Sequence, residues 1–222
     1  MTKPTMKIDH CLLGIFLFII SCGPQERVSK ETFEEVNRNM EVKRITEVEI
    51  IQEAMVWGDS ITQEAQNQLV SSLQKAISEQ GVVGAIEYCN VNALPILTEL
   101  GKKYSVQLKR ASNRARNPAD LPSEEEKPIL EAYEYNAENG IKSDPNIQKF
   151  EKGEVFLYTK PIVIPSGMCL SCHGESGKEI NKETQAKLDQ LYPKDLAKGH
   201  KEGDLRGMWS VRIPKKEVVK RM

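Results

Sequence analysis

Little in this chain of 222 residues is one-sided. Lysine and arginine number 31 against 32 aspartate and glutamate, so the basic footprint of a nucleic-acid binder is missing. No apolar run approaches the ~18 residues of a membrane-spanning helix; the longest, Leu12 to Ile20, has nine. Glycine and proline, 14 and 11, follow no period, and no segment of about 20–50 residues repeats, which excludes collagen-like and solenoid designs. Histidine is scarce, with only His10, His173 and His200. What remains is an ordinary composition: 39% hydrophobic residues, enough for a core and too many for wholesale disorder, in a length that suits one domain.

The first unusual segment is the N-terminus. Lys3 and Lys7, diluted by Asp9, precede the nine-residue apolar run, which ends in Ile19-Ile20-Ser21-Cys22-Gly23. A positive start and a short apolar run read as a secretory signal. The closing string resembles the lipobox of bacterial lipoproteins, in which the cysteine is acylated. The expectation is a signal over residues 1–21, an acylated Cys22, and an exported, membrane-anchored lipoprotein facing the periplasm or the cell surface. Acyl chains contribute about 0.8 kcal/mol per buried CH₂, so more than one on Cys22 anchors stably.

An exported chain invites disulfides, but its five cysteines have other uses. Cys11 lies in the signal and Cys22 in the lipobox. Cys169 and Cys172 stand in Cys169-Leu170-Ser171-Cys172-His173, the C-x-x-C-H pattern of c-type haem attachment. Two thiols at this spacing reach the two vinyl groups of one porphyrin, and the adjacent imidazole then meets the iron. A thioredoxin-like redox pair or half of a zinc site would use the same thiols. Those readings want a βαβ context or a second Cys/His pair, and the sequence has neither. One motif implies one covalent haem. Cys89 is left over. It sits in a stripe of Val82, Ile86, Cys89, Ala93, Leu97 and Leu100, the apolar face of a helix kinked or split at Pro95. Spacing alone leaves two roles open: a buried small hydrophobe, the commoner one, and a thiolate ligand to the haem.

Along the rest of the chain, residues 22–58 read as a tether and a charged, solvated helix, and residues 59–216 as the folded domain. Ala65, Leu69, Leu73 and Ile77 predict a helix from 61 to 80, stopped by Gly81. Residues 104–110 alternate as a strand with Val106 and Leu108 inward. A helix follows to about Asn139, with Ser123 and Glu126 as its capping box. Residues 147–150 and 155–164 form a hairpin with Phe156 and Tyr158 on one face. A short helix spans 182–191, and a last strand puts Trp209, Val211 and Ile213 on one side. Helices first and antiparallel strands later imply an α+β fold, with N-terminal helices packed on one face of the sheet.

Several ordered motifs over roughly residues 60–214 resemble the single-haem c-type cytochrome family with a PAS-like fold, described from a cyanobacterial protein. They are Ala85-Ile86 before Cys89; Arg116-Asn117-Pro118 with Pro122 and Glu125 or Glu126; Tyr158 with Pro161-Ile162; the haem motif with Gly174; Tyr192-Pro193 and Asp195; and Gly203-Asp204-Leu205-Arg206-Gly207 with Ser210-Val211. The resemblance implies a PAS-like antiparallel sheet, His173 as proximal ligand and a cysteine thiolate, by position Cys89, as the distal one. His200 stands where this family commonly carries tyrosine. It is a rival ligand, though a solvated loop histidine is the expectation. Met168 and Met208 are weaker rivals, and core is expected for Met208. Arg110, Arg114 and Arg116 are candidates for the haem propionates, with Arg116 first because it lies inside a matched motif.

Two functions follow. A thiolate lowers the haem potential and is worth less to ferrous iron, which suits a redox or gas-sensing module. A membrane-tethered electron carrier is the alternative. An enzyme is not expected, because the chain shows no distal His/Arg pair at recognisable spacing. The expected partners are the membrane through Cys22, a redox or signalling protein and a small gas ligand.

Overall fold

The computed structural model describes residues 28–39 and 44–222, so the signal over 1–21 and Cys22 lie outside the described residues. The chain divides into two compact units, Met1–Arg44 and Ile45–Met222. Helix α1, Lys30–Asn39, belongs to the first, with Phe33 and Val36 exposed.

The second unit opens with α2, Glu47–Tyr104. Thr46 accepts from the Glu49 N–H while Glu49 accepts from the Thr46 N–H at 2.7 Å, a capping box visible in Thr46-Glu47-Val48-Glu49. Helix thus starts inside the stretch expected to be a solvated linker, and its inner face is not solvated: Ile50, Ala54 and Trp57 are in the core. Charged neighbours masked the stripe at residues 50, 54, 57, 61 and 65.

The two arms of α2 fold back on each other. Lys103 Nζ lies 2.8 Å from Glu64, 39 residues away, whereas a straight helix would separate them by about 58 Å. The bend is Gly81, with φ 69° and ψ 179°, backbone that only glycine adopts freely. The break expected at Gly81 is there, and the kink or split expected at Pro95 is not, since the chain continues through Pro95 as helix.

Four antiparallel strands follow: β1 Gln107–Ala111, β2 Asn146–Phe150, β3 Val155–Val163 and β4 Leu205–Pro214, in the order β1-β4-β3-β2. The expected hairpin is β2–β3. The α+β expectation holds, and α2 packs on one sheet face against Phe156, Tyr158, Trp209, Val211 and Ile213. Burying a side chain such as Phe156, fully enclosed here, stabilises by about 1.5–3 kcal/mol. The contact is close: a Cβ on Gly58 would stand 2.3 Å from Tyr158 Cγ. Helix α3, Lys127–Glu138, covers the opposite face through Ile129, Leu130 and Tyr133, against Leu157 and Met208.

Ser123 does not cap α3. Its Oγ is buried without a partner, while its N–H donates to Glu126 at 2.7 Å. Glu126 also accepts from Ser210 Oγ at 2.6 Å and pairs with Lys109 at 3.0 Å, so half of the expected box has become a link between helix and sheet. Between β3 and β4 lie α4, Gly167–His173, and α5, Lys182–Leu191. A terminal helix, α6, Lys215–Val219, adds Val218 to the core.

Candidate functional site

Helix α4 carries the C-x-x-C-H string, Cys169 to His173. Its N-cap is Ser166, and Gly174 ends it with its N–H on Leu170 O. Cys169 and Cys172 are three residues apart on this short helix, half-buried free thiols. Cys172 packs with Leu191 and Tyr192 against a small core of Ile86 from α2, Ile180, and Leu188 from α5. Ile86 is one helical turn before Cys89, so the second arm of α2 is what brings Cys89 to α4. Cys89 is likewise a half-buried free thiol. Burial pushes that thiol up, opposed by the positive charges of Arg110 and Arg116. Burial also raises Cys172, and the charge of Cys89 adds to the effect.

His173 Nδ1 lies 2.7 Å from the Ala197 carbonyl oxygen. A carbonyl only accepts, so Nδ1 carries the proton and Nε2 keeps its lone pair, the form of imidazole that binds a metal. Burial, then the charges of Arg116 and Arg206, hold His173 well below its ordinary pKa, which keeps that lone pair available.

The loop presenting Ala197 is itself braced. Asp195, fully enclosed, accepts from the Ala197 N–H at 2.8 Å and from Arg116 Nε at 3.1 Å. Arg116 also donates to the Cys172 carbonyl and lies over the Tyr192 ring. Its Nε and Nη2 are thus engaged by protein, which leaves less of the guanidinium for the carboxylate-binding role expected of it.

His200 is not the solvated residue expected. It is 2% exposed, because its N–H donates to the His173 carbonyl at 2.8 Å and draws the ring in, 6.3 Å between centroids from that of His173. Arg114 Nη1 faces its Nδ1 at 3.3 Å. An arginine only donates, so the proton sits on Nε2, which is buried with no partner. This tautomer offers no Nε2 lone pair to a metal. Burial, Arg114 and Arg206 push its pKa down to about 4.

Met208 is core on the α3 side of the sheet, as expected, and Met168 is exposed. Among the described residues no group of three or more His, Cys, Asp or Glu side chains could hold a metal ion. Sequence reasoning missed the roles of Asp195, Ala197 and Arg206. Asp195 and Arg206 stand inside matched motifs, but Ala197 acts through its backbone and leaves no side-chain signal.

The model of the Tll0287-like family, Tll0287, matches residues 25–214. Among solved structures, the chain is similar to the crystal structure of the cyanobacterial haem protein Tll0287. The alignment has 21% identity, covers 68% of this chain and 95% of that one, and has a TM-score of 0.45. No curated protein matches the chain. Among the described residues no helix is long and apolar enough to cross a membrane.

Proposed function

The chain belongs to the Tll0287-like family, and from that premise we propose that it is a mono-haem c-type protein working as a redox or small-ligand sensor at a membrane surface. The observation that carries the reading is the state of His173: an imidazole at the end of a C-x-x-C-H helix, its Nδ1–H held by Ala197 O at 2.7 Å and its Nε2 left free.

The donor set fits the cofactor. Cys169 and Cys172 supply two free thiols at thioether spacing, His173 a neutral nitrogen donor, Cys89 a soft second donor, and the neighbouring arginines the charge to meet two carboxylates. A bound haem supplies a one-electron couple and, where an axial position opens, a site for a small gas. The residues do the rest. Asp195 and Ala197 fix the imidazole orientation, and Ile86, Ile180 and Leu188 keep water from the Cys172 side. Cys89, as a thiolate, would favour the oxidised couple and would be the donor that reduction weakens. No enzymatic turnover is part of this reading. Acylated Cys22 anchors the protein on the exported side of the membrane, and the signal passes to a separate redox or signalling protein.

A tethered electron carrier is the second reading. It is favoured by the donor set, since His173 and Cys89 would supply two protein ligands to a bound haem iron. Full-length protein co-expressed with a c-haem maturation system decides the matter. Covalent haem, read by mass and by the pyridine haemochrome, must disappear in the Cys169→Ala/Cys172→Ala chain. Loss of the Cys89 ligand on reduction supports sensing, and retention with fast electron exchange supports the carrier. A wild-type chain without haem overturns both.

A further inference from the structure

We propose that Arg110 and Arg206, rather than Arg116, form the seat for the two haem propionates; the inference rests on the haem reading above and deepens it. Of the four guanidinium groups in this region, two have both Nε and at least one terminal nitrogen bonded to protein. Arg116 holds Asp195 and the Cys172 carbonyl. Arg114 donates from Nε to Leu196 O at 3.4 Å, to Lys198 O, and from Nη1 to His200.

Arg110 and Arg206 differ. Arg110 touches Asp120 only at 3.4 Å through one Nη, and its Nε is buried without a partner. A buried N–H left unpaired is unfavourable and marks a place where an acceptor is missing. Arg206 is placed by a bulge. Ile162 pairs with Gly207 and Val163 with Leu205, so Arg206 is the extra residue in β4, and bulges of this kind re-aim a side chain next to functional sites. Its Nη1 donates to Ser112 Oγ and to the Arg114 carbonyl, both at 3.1 Å. Neither acceptor carries charge, and Arg206 forms no ion pair among the described residues.

The two charges lie close enough to oppose each other. Burial, then Arg110 and Arg116, pull Arg206 down to about 10. Asp120 and Asp195 offset part of this, but burial and the two arginines outweigh them, and Arg206 in turn depresses His173, so a net positive field reaches the imidazole. Two carboxylates are what would relieve it, and a guanidinium fork matches a carboxylate with two parallel hydrogen bonds.

The test uses full-length holoprotein, with covalent haem verified in each variant, and follows the midpoint potential by spectroelectrochemical titration from about pH 5 to pH 9. Wild type should give a nearly flat profile, because guanidinium-paired propionates stay ionised. Arg206→Gln and Arg110→Gln should each favour the oxidised form about tenfold at the alkaline end, which is about 59 mV for one electron. Each should also gain a pH slope as a propionate titrates. Arg206→Lys, which keeps the charge, should restore most of the flat profile and carries the test with Arg110→Gln if Arg206→Gln does not fold. Arg116→Gln should lower stability without creating the slope. Holoprotein variants at Arg110 and Arg206 with the wild-type potential and profile overturn this proposal alone. A wild-type chain that never takes up haem overturns the parent reading and this one with it.

Discussion

Arg116 and Asp195, on loops 79 residues apart in sequence, form an enclosed ion pair at 3.1 Å, and through it the haem-motif helix is tied to the backbone that orients His173. Asp195 passes the constraint to the Ala197 N–H, and Ala197 O holds His173 Nδ1. Outer contacts of this kind set the orientation and basicity of a ligating imidazole.

Breaking that pair leaves an enclosed charge uncompensated. Arg116→Ala should lower unfolding free energy by about 3–5 kcal/mol, measured by urea denaturation. Asp195→Asn should cost less, because its amide oxygen can still accept from the Ala197 N–H, but it should reduce haem loading.

Two glycines of α2 should fail for different reasons. Gly58→Ala forces a methyl against the Tyr158 ring and should cost about 1–3 kcal/mol by overpacking. A methyl at Gly81 meets nothing within 4 Å, so Gly81→Ala should cost about 1–3 kcal/mol through backbone strain alone. A truncation that relieves the first, Tyr158→Ala, should not change the cost of the second; thermal melts of the single and double variants check this.

Glu126 should make stability acid-sensitive. Burial pulls its carboxyl up, but hydrogen bonds from Ser210, the Ser123 N–H and Lys109 outweigh that and hold it below its ordinary 4.5. The folded-state pKa is depressed, so the contribution is fully present above about pH 4.5 and is lost as pH falls through the lower folded value. Urea midpoints measured between about pH 3 and pH 7 should fall towards acid in wild type, with this component of the slope missing in Glu126→Gln.

Lipid attachment is checked by fractionation. Wild type should sediment with membranes and Cys22→Ala should remain in the soluble exported fraction. A soluble wild type would remove the anchor from the account.

Much of the sheet was legible because its pattern is binary. Phe156 with Tyr158, and Trp209 with Val211 and Ile213, alternate cleanly and share the face that α2 covers. The short helix at Cys169-Leu170-Ser171-Cys172-His173 was visible as a C-x-x-C-H string, though not as a helix. Other features depend on contacts distant in sequence. Trp57 joins the core only because the arms of α2 double back, and Ser123 gives up its cap because Glu126 is drawn to Ser210 on β4. His200 read as a solvated loop residue, and it is a buried one, since nothing local announces that its backbone will bond to His173. The extra residue at Arg206 is a property of strand register, which one strand's sequence does not contain.

The most direct measurement compares ferric and ferrous absorption and ferric electron paramagnetic resonance spectra of full-length holoprotein with those of Cys89→Ala. The account predicts a low-spin, thiolate-type ferric signature in wild type that Cys89→Ala abolishes while the haem stays covalently bound through Cys169 and Cys172. Identical spectra from the two proteins would contradict it, leaving Cys89 as ordinary core and His173 with some other partner.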